Sequence, residues 1–395
     1  AVIDRLSALK MNRLGIGLYG CWGNCRFEGS LTEFLQVSIP GHEDLRKEHA
    51  LKWYSPAQKA WCEETYLSPM CRDNFLAEVV NYGREKGVAV IPFVNSFGHN
   101  TLIPRLHPAV SAKEADGTPR GLGYSIADPE TRRFVEAFYG SIIERDYPNG
   151  IEFFHIQMDE VWPDYPDPND PHKVASPWCD APVSTARSRE ENLKDYVIWL
   201  VGMLTAKGVG KVVLWNDQLT RHMKVLDAGF VRDLEAAGLK DRLILHWWWY
   251  SNDALNDQTH VRLGQDLGIE GWVAPMTCYF NWMRYDYRRP NIARMLAMAH
   301  EEHASGAVSY AVHDPSHTDH EALLAAYAWT GPEAGTPEDI QAVWATCYGG
   351  GKDTYVAAAE NLVRAVSMGP ALGHCYHYTY TYCNKDLPWP RPYPG

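Results

Sequence analysis

Short apolar runs alternate along the chain with longer segments whose apolar positions recur every three or four residues. Val2, Ile3, Leu6 and Leu9 share one helical face, and Leu14, Ile16 and Leu18 then alternate as a strand. A helical pattern around Phe75, Leu76, Val79, Val80 and Tyr82 leads through Gly87 into the run Val88 to Val94. Another, around Phe134, Val135, Phe138 and Ile142, leads into Ile151 to Met158. Leu193 to Leu204 precedes Val212 to Trp215, and a shorter helix near Val231 and Leu234 precedes Leu243 to Trp249. Gly271 to Tyr279 and Ala307 to Val312 follow, the second after a helix from Ile292 to His303.

The pattern is helix then strand, seven times over. Strands separated by helices favour a parallel sheet, because the crossover carries the chain back to the same edge. No Gly-x-Gly-x-x-Gly turn follows a strand, which removes the usual reason to choose a dinucleotide fold. The pattern therefore predicts an α/β fold, a (β/α)8-type TIM barrel with one strand short. The missing first strand is expected upstream of Ala1 or supplied from elsewhere. One candidate is Tyr376, Tyr378, Tyr380 and Tyr382, which alternate with His377, Thr379 and Thr381. The barrel is expected over residues 1–335, with residues 336–395 as a C-terminal helical extension and Pro-rich tail. Trp329 and Trp344 lie within helical patterns and are expected in the core.

A chain of 395 residues with 46% apolar content can bury one large core. The net charge of −12 argues against nucleic acid as a general partner, and no long apolar stretch suggests a membrane span. The 15 Trp and 22 Tyr suit sugar faces, although a large core also uses them. Nine cysteines without a Cys-x-x-Cys pair point away from a thiolate metal site. Cys21 and Cys25 read as a disulfide or a pair of free thiols, and the usage leans to a reducing, cytoplasmic compartment. No signal peptide is visible, and a processed N-terminus at Ala1 would look the same. Oligomeric state is left open, with a homodimer as one option.

In parallel barrels the reacting groups gather at the C-terminal strand ends. Those ends carry Tyr19 and Trp22; Asn95 and His99; Asp159, Glu160 and Trp162; Trp215, Asn216 and Asp217; Trp247, Trp248 and Tyr250; Tyr279, Asn281 and Trp282; and His313 with Asp314. Acids, histidine and aromatics converge on one rim, which suits a carbohydrate pocket. In Ile151-Glu-Phe-Phe-His-Ile-Gln-Met-Asp-Glu-Val-Trp162, strand alternation would point His155, Gln157 and Asp159 one way and Glu160 the other. Adjacent carboxylates can then approach a sugar from different angles, one protonating a leaving oxygen while the other steers a neighbouring group.

The segment His155-Ile-Gln-Met-Asp159-Glu160 resembles the His-x-Gly-Gly-Asp-Glu motif of glycoside hydrolase family 20, the β-N-acetylhexosaminidases. Leu9-Lys-Met-Asn12 is similar to the family's Lys-x-Asn, and Ile91-Pro-Phe-Val-Asn-Ser-Phe-Gly-His99 to its Ile-Pro-Glu-x-Asp-x-Pro-Gly-His. Val213-Leu-Trp-Asn-Asp217 and His246-Trp-Trp-Trp-Tyr250 resemble its tryptophan motifs, in the same order. The resemblance implies retaining, exo-acting, substrate-assisted hydrolysis of terminal β-linked N-acetylhexosamine through an oxazolinium intermediate. It implies that Asp159 orients the acetamido nitrogen, Glu160 is general acid then base, His99 tunes Glu160, and Tyr279 bonds the acetamido oxygen. Trp215, Trp248 and one of Trp247 or Trp249 would wall the pocket. Asp217, Asn281, His155, Trp162, His313 and Asp314 complete the expected sugar-binding set. In this sequence Gln157 and Met158 stand where the motif has two glycines, and Asn95 stands where it has Asp.

No cofactor or metal is expected. His313, His317 and His320 with Asp314 and Asp319 form the most metal-like cluster, but Asp319 also suits a helix cap. No Gly-x-Ser-x-Gly elbow supports a serine nucleophile. Two other readings stay open: a glycosidase that uses Asp217 or Asp314 as nucleophile or base, and a catalytically silent sugar-binding barrel.

Overall fold

Seven strands form one parallel sheet in a computed structural model of the chain. It describes residues 1–18, 26–27, 30–31, 35, 37–46, 49–55, 58–66, 75–100, 102–161, 165–166, 174–278, 289–311, 318–346 and 351–367. The strands are β1 (Arg13–Leu18), β2 (Ala89–Val94), β3 (Ile151–His155), β4 (Val209–Trp215), β5 (Leu243–Trp248), β6 (Glu270–Ala274) and β7 (Gly306–Ala307). Their spatial order is their chain order, so each helical crossover joins two neighbouring strands. Each lies where the sequence pattern places it. The last two are shorter than expected, and an isolated bridge between Met276 and Tyr310 continues their pairing upward.

Neighbouring strands lie about 4.8 Å apart, so β3 and β6 would sit about 14 Å apart in a flat sheet. Instead, Phe153 on β3 meets Trp272 on β6 with ring centres 4.8 Å apart. The sheet is curled into a barrel wall, open among the described residues between β1 and β7. Ile91, Val213, Ile244 and Trp272 fill the inside, with Phe93, Phe153 and Val308 against them.

The outer layer is built by α1 (Val2–Ala8), α2 (Phe75–Glu85), α3 (Pro129–Asp146), α4 (Arg189–Ala206), α5 (Ala228–Ala236), α6 (Arg289–Glu301) and α7 (Thr318–Thr330). In α4, Leu193, Val197, Leu200 and Leu204 are fully buried at helical spacing, and Ser188 with Glu191 closes a capping box at its start. Burying four such side chains contributes roughly 1.5–3 kcal/mol each. Two more helices, α8 (Pro337–Thr346) and α9 (Lys352–Ser367), follow the barrel, and Gln341 of α8 donates to Asp319 of α7 at 2.9 Å.

The structure also departs from the sequence pattern. An antiparallel pair, His49–Ser55 with Ala60–Tyr66, is inserted between β1 and α2. Trp329, expected in the core, is 62% exposed; its indole N–H instead donates to the carbonyl of Lys10 in the turn between α1 and β1. The Tyr376 to Tyr382 run and the Cys21 and Cys25 pair lie outside the described residues. No described helix is long and apolar enough to cross a membrane.

Candidate active site

The ends of β2 and β3 are drawn together by close backbone contact. Ser96 N–H donates to the carbonyl of Ile156 at 3.2 Å. A Cβ at Gly98 would lie 1.9 Å from the carbonyl oxygen of Asp159, so only glycine allows the two loops to touch. His99 follows with φ of 49° and is nearly fully buried. Its Nε2 lies 3.4 Å from Asp159 Oδ2 and 3.2 Å from Glu160 Oε2. Both carboxylates thus converge on one imidazole, and their side chains keep 20% and 19% exposure for a ligand to reach.

This convergence corrects the expectation that strand alternation would turn Asp159 and Glu160 to opposite sides. β3 ends at His155, and Gln157, Met158 and Glu160 have φ of 54°, 70° and 48°. Each left-handed non-glycine residue costs on the order of 1–2 kcal/mol, so such a turn persists only where its surroundings over-determine it. Four bonds do so here. Gln157 N–H donates to His155 Nδ1 at 2.9 Å, and Gln157 O accepts from Trp215 N–H at 3.0 Å. Glu160 N–H donates to Asp217 Oδ2 at 2.9 Å, and Val161 N–H to Gln218 Oε1 at 3.0 Å. Met158 is buried to 1% exposure and packs into the outer core.

Electrostatics follow from that geometry. Burial alone would lower the pKa of His99, but the Asp159 and Glu160 carboxylates outweigh it and push the imidazole up to about 10. Burial raises Asp159; His99 opposes it, and the charges of Asp217 and Glu160 add to burial. Asp217 is fully buried, which by itself would raise it. Bonds from His222, from Trp248 and from the Glu160 N–H outweigh that and keep it low. Its Oδ1 accepts from Trp248 Nε1 at 2.8 Å, while its Oδ2 lies 3.2 Å from His222 Nε2.

Aromatic rings border the acids. Trp215 is 5% exposed and stacks on His246 at 4.3 Å with an interplanar angle of 15°. Trp248 meets Tyr250 at 4.8 Å, and the Arg221 guanidinium lies 4.1 Å from the Trp248 ring centre. Tyr250, absent from the expected site set, lies within electrostatic reach of Asp159 and Glu160. Its phenol is held well above the ordinary range by burial first and then by Tyr310 and the two acids. Its place at the end of β5 was the available signal. Arg221 and His222 carried none, because they sit in the turn Gln218–His222 beyond the strand.

Three expected sugar contacts are corrected. Trp247 is fully buried in the outer layer, where Cβ atoms at Gly264 and Gly271 would lie 3.2 and 3.1 Å from its ring. Neighbouring strand residues face opposite sides, so placing His246 and Trp248 inward sends Trp247 outward. His155 is also fully buried and faces His246 inside the barrel. Asp217, expected to bind sugar, uses its oxygens on Glu160, Trp248 and His222. Tyr279, Asn281, Trp162, His313 and Asp314 lie outside the described residues. His99, Asp159 and Glu160 offer ligand atoms within 4.8 Å of one another and form the group best placed among the described residues to meet a cation. His320 and Asp319 are committed to the Thr277 carbonyl at 3.2 Å and to Gln341.

Comparison with known proteins adds an independent line. The sequence model described as glycosyl hydrolase family 20, catalytic domain, matches residues 1–323. Among solved structures, a Flavobacterium johnsoniae chitobiase superposes with a TM-score of 0.53 at 15% identity, covering 93% of this chain and 48% of that one. An exo-β-N-acetylglucosaminidase from Vibrio harveyi gives 0.56 at 11%, covering 92% and 55%. An O-GlcNAc hydrolase from Thermobaculum terrenum gives 0.50 at 12%, covering 93% and 63%. At these identities the likeness is one of fold, and the chain spans about half the length of the first two. No curated protein sequence matches the chain.

Proposed function

The chain belongs to glycosyl hydrolase family 20, and from that premise we propose that it is a retaining, exo-acting β-N-acetylhexosaminidase working by substrate-assisted catalysis. The observation that carries the proposal is the convergence of Asp159 and Glu160 on the buried imidazole of His99. In the proposed reaction the substrate's 2-acetamido oxygen attacks the anomeric carbon as Glu160 protonates the departing glycosidic oxygen. Asp159 orients the acetamido N–H and stabilises the positive charge that develops on the oxazolinium ring. Glu160 then takes a proton from the water that opens the ring, which restores the acetamido group with net retention.

His99 suits this scheme as a buried donor that both acids share. Trp215, Trp248 and Tyr250 supply ring faces for the sugar's C–H surface. The bonds at Asp217 speak against the reading in which that residue is nucleophile or base, because its oxygens already bind Glu160, Trp248 and His222.

An aryl β-N-acetylglucosaminide tests the proposal. The native chain should release the aryl group with the β-anomer as first product, and Glu160→Gln should lose most of that turnover. Equal, negligible release from both proteins would indicate a sugar-binding barrel, and an α-anomer would indicate an inverting enzyme.

A further inference from the structure

Two fully buried histidines lie inside the barrel against Trp215, and the proposed acid–base chemistry does not use them. His155 Nε2 lies 3.1 Å from His246 Nδ1, and both rings contact Trp215, at 4.7 and 4.3 Å between centres. The outer atoms of the pair are committed to backbone. His155 Nδ1 faces Gln157 N–H at 2.9 Å, and His246 Nε2 faces the carbonyl of Val308 at 3.0 Å and that of Val273 at 3.3 Å.

Those partners dictate where the protons sit. A backbone N–H can only donate, so His155 Nδ1 carries a lone pair and its proton is on Nε2. A carbonyl can only accept, so His246 Nε2 carries the proton and Nδ1 the lone pair. The middle bond is then satisfied in one direction alone, from His155 Nε2–H to His246 Nδ1. An added proton on either ring would set two donors face to face. Burial lowers the pKa of both, His155 well below its ordinary value and His246 to about 3, in agreement with two neutral rings.

We infer that His155 and His246 form a one-way hydrogen-bond chain that pins the left-handed turn at Gln157 and thereby positions Asp159 and Glu160. The chain runs from the Gln157 N–H on the acid-bearing loop, across the barrel interior, to the carbonyls of β6 and of Val308 beyond β7. It links the acid pair to the far wall of the sheet. Gln157 is gripped at both ends, its N–H by His155 and its carbonyl by Trp215 N–H. Loss of the His155 acceptor frees one end of a turn that is strained at Gln157, at Met158 and at Glu160. His155 and His246 are positioning residues, acting on the proposed reaction only through the backbone that carries the acids.

Long-range proton–nitrogen NMR on the full chain, labelled with nitrogen-15 histidine, tests the chain directly. At pH 7 both rings should appear as neutral Nε2–H tautomers, identified by their loss in His155→Phe and His246→Phe. An imidazolium or an Nδ1–H tautomer at either position overturns the inference. The same spectra report acid placement through His99. Its titration midpoint should stay high in His155→Asn, whose amide oxygen can replace the Nδ1 acceptor. It should fall in His155→Phe, which keeps ring shape without an acceptor, and equal midpoints in the two folded variants overturn the positioning role.

The kinetic arm rests on the proposed glycosidase activity. His155→Phe should lower kcat on the aryl glycoside roughly 100-fold, as expected for acids displaced by about 1 Å, with KM changed less than about threefold. His155→Asn should recover most of that loss. A kcat in His155→Phe within twofold of native would overturn the inference. Absence of turnover by the native chain would count against the glycosidase reading alone, leaving the histidine spectra to decide the chain.

Discussion

Asp217 holds Glu160 by its backbone: Oδ2 accepts the Glu160 N–H at 2.9 Å, while Oδ1 accepts the Trp248 indole N–H at 2.8 Å. One buried carboxylate on the β4 end therefore sets both an acid and a ring of the pocket wall. Asp217→Ala leaves these buried donors unpaired, at a cost of about 1–3 kcal/mol for each. Turnover should fall roughly 100-fold through misplacement. Asp217→Asn should rescue only in part, because its NH2 must face one of the donors. Steady-state kinetics and chemical denaturation on both variants check this, and native kcat in Asp217→Ala would sink the assignment.

His99 gives the protein a pH signature. Its folded-state pKa is raised from the ordinary 6.5 to about 10, so its contribution to stability is full below 6.5. That contribution is lost as pH rises from 6.5 through about 10, as the shared imidazolium loses its proton between the two acids. Unfolding free energy should decline across this window in the native chain and more gently in His99→Gln. Denaturation midpoints at half-unit pH steps provide the measurement, and parallel curves would refute the shared cation.

Gly98→Ala should be severe for its size. The new Cβ meets the Asp159 carbonyl oxygen at 1.9 Å, and the obstacle is backbone that cannot swing aside. The β2 and β3 loops must part, which draws His99 away from both acids. We expect a lower melting temperature and at least a tenfold loss of turnover, about 1.4 kcal/mol in barrier, by kinetics and thermal unfolding.

Gln157 and Met158 share a left-handed backbone yet should respond oppositely to glycine. At half-buried Gln157 the change removes about 1–2 kcal/mol of strain against up to about 1 kcal/mol of glycine's added chain entropy, so stability should rise slightly or hold. At Met158 the same relief is outweighed by roughly 2–5 kcal/mol for emptying a buried methionine site. Urea midpoints of the two variants should move apart, and a stabilised Met158→Gly would show that packing there is slack.

Trp247 and Trp248, adjacent in sequence, should separate by phenotype. Trp247→Ala empties the outer core, costing about 3–5 kcal/mol, with the pocket otherwise intact. Trp248→Ala removes a half-buried ring beside Tyr250 and Arg221, and should raise KM or lower kcat more than it lowers the melting temperature. Paired kinetic and thermal measurements on both proteins distinguish them, and the reverse pattern would invert the assignment of their faces.

The barrel was legible because period is a local property. Leu14, Ile16 and Leu18 alternate, and Leu193, Val197, Leu200 and Leu204 recur helically, whatever the rest of the chain does. The strand ends then named Asp159, Glu160 and His99 as neighbours, because parallel strands deliver their C-termini to one rim. Alternation failed at the point where β3 stops. The direction of Asp159 and Glu160 depends on the positive φ of Gln157, Met158 and Glu160, which nothing in those side chains favours.

The sequence by itself determined the repeating unit, the parallel sheet and the acids at its rim. Tertiary structure alone decided that Asp217 and His155 hold the loop carrying those acids, that Trp247 faces outward, and that Trp329 lies exposed over the Lys10 turn. The physical reason is reach. Hydrophobic period is set over a few residues, whereas the strained turn is stabilised by bonds to His155, Trp215, Asp217 and Gln218, most of them on a different strand or loop.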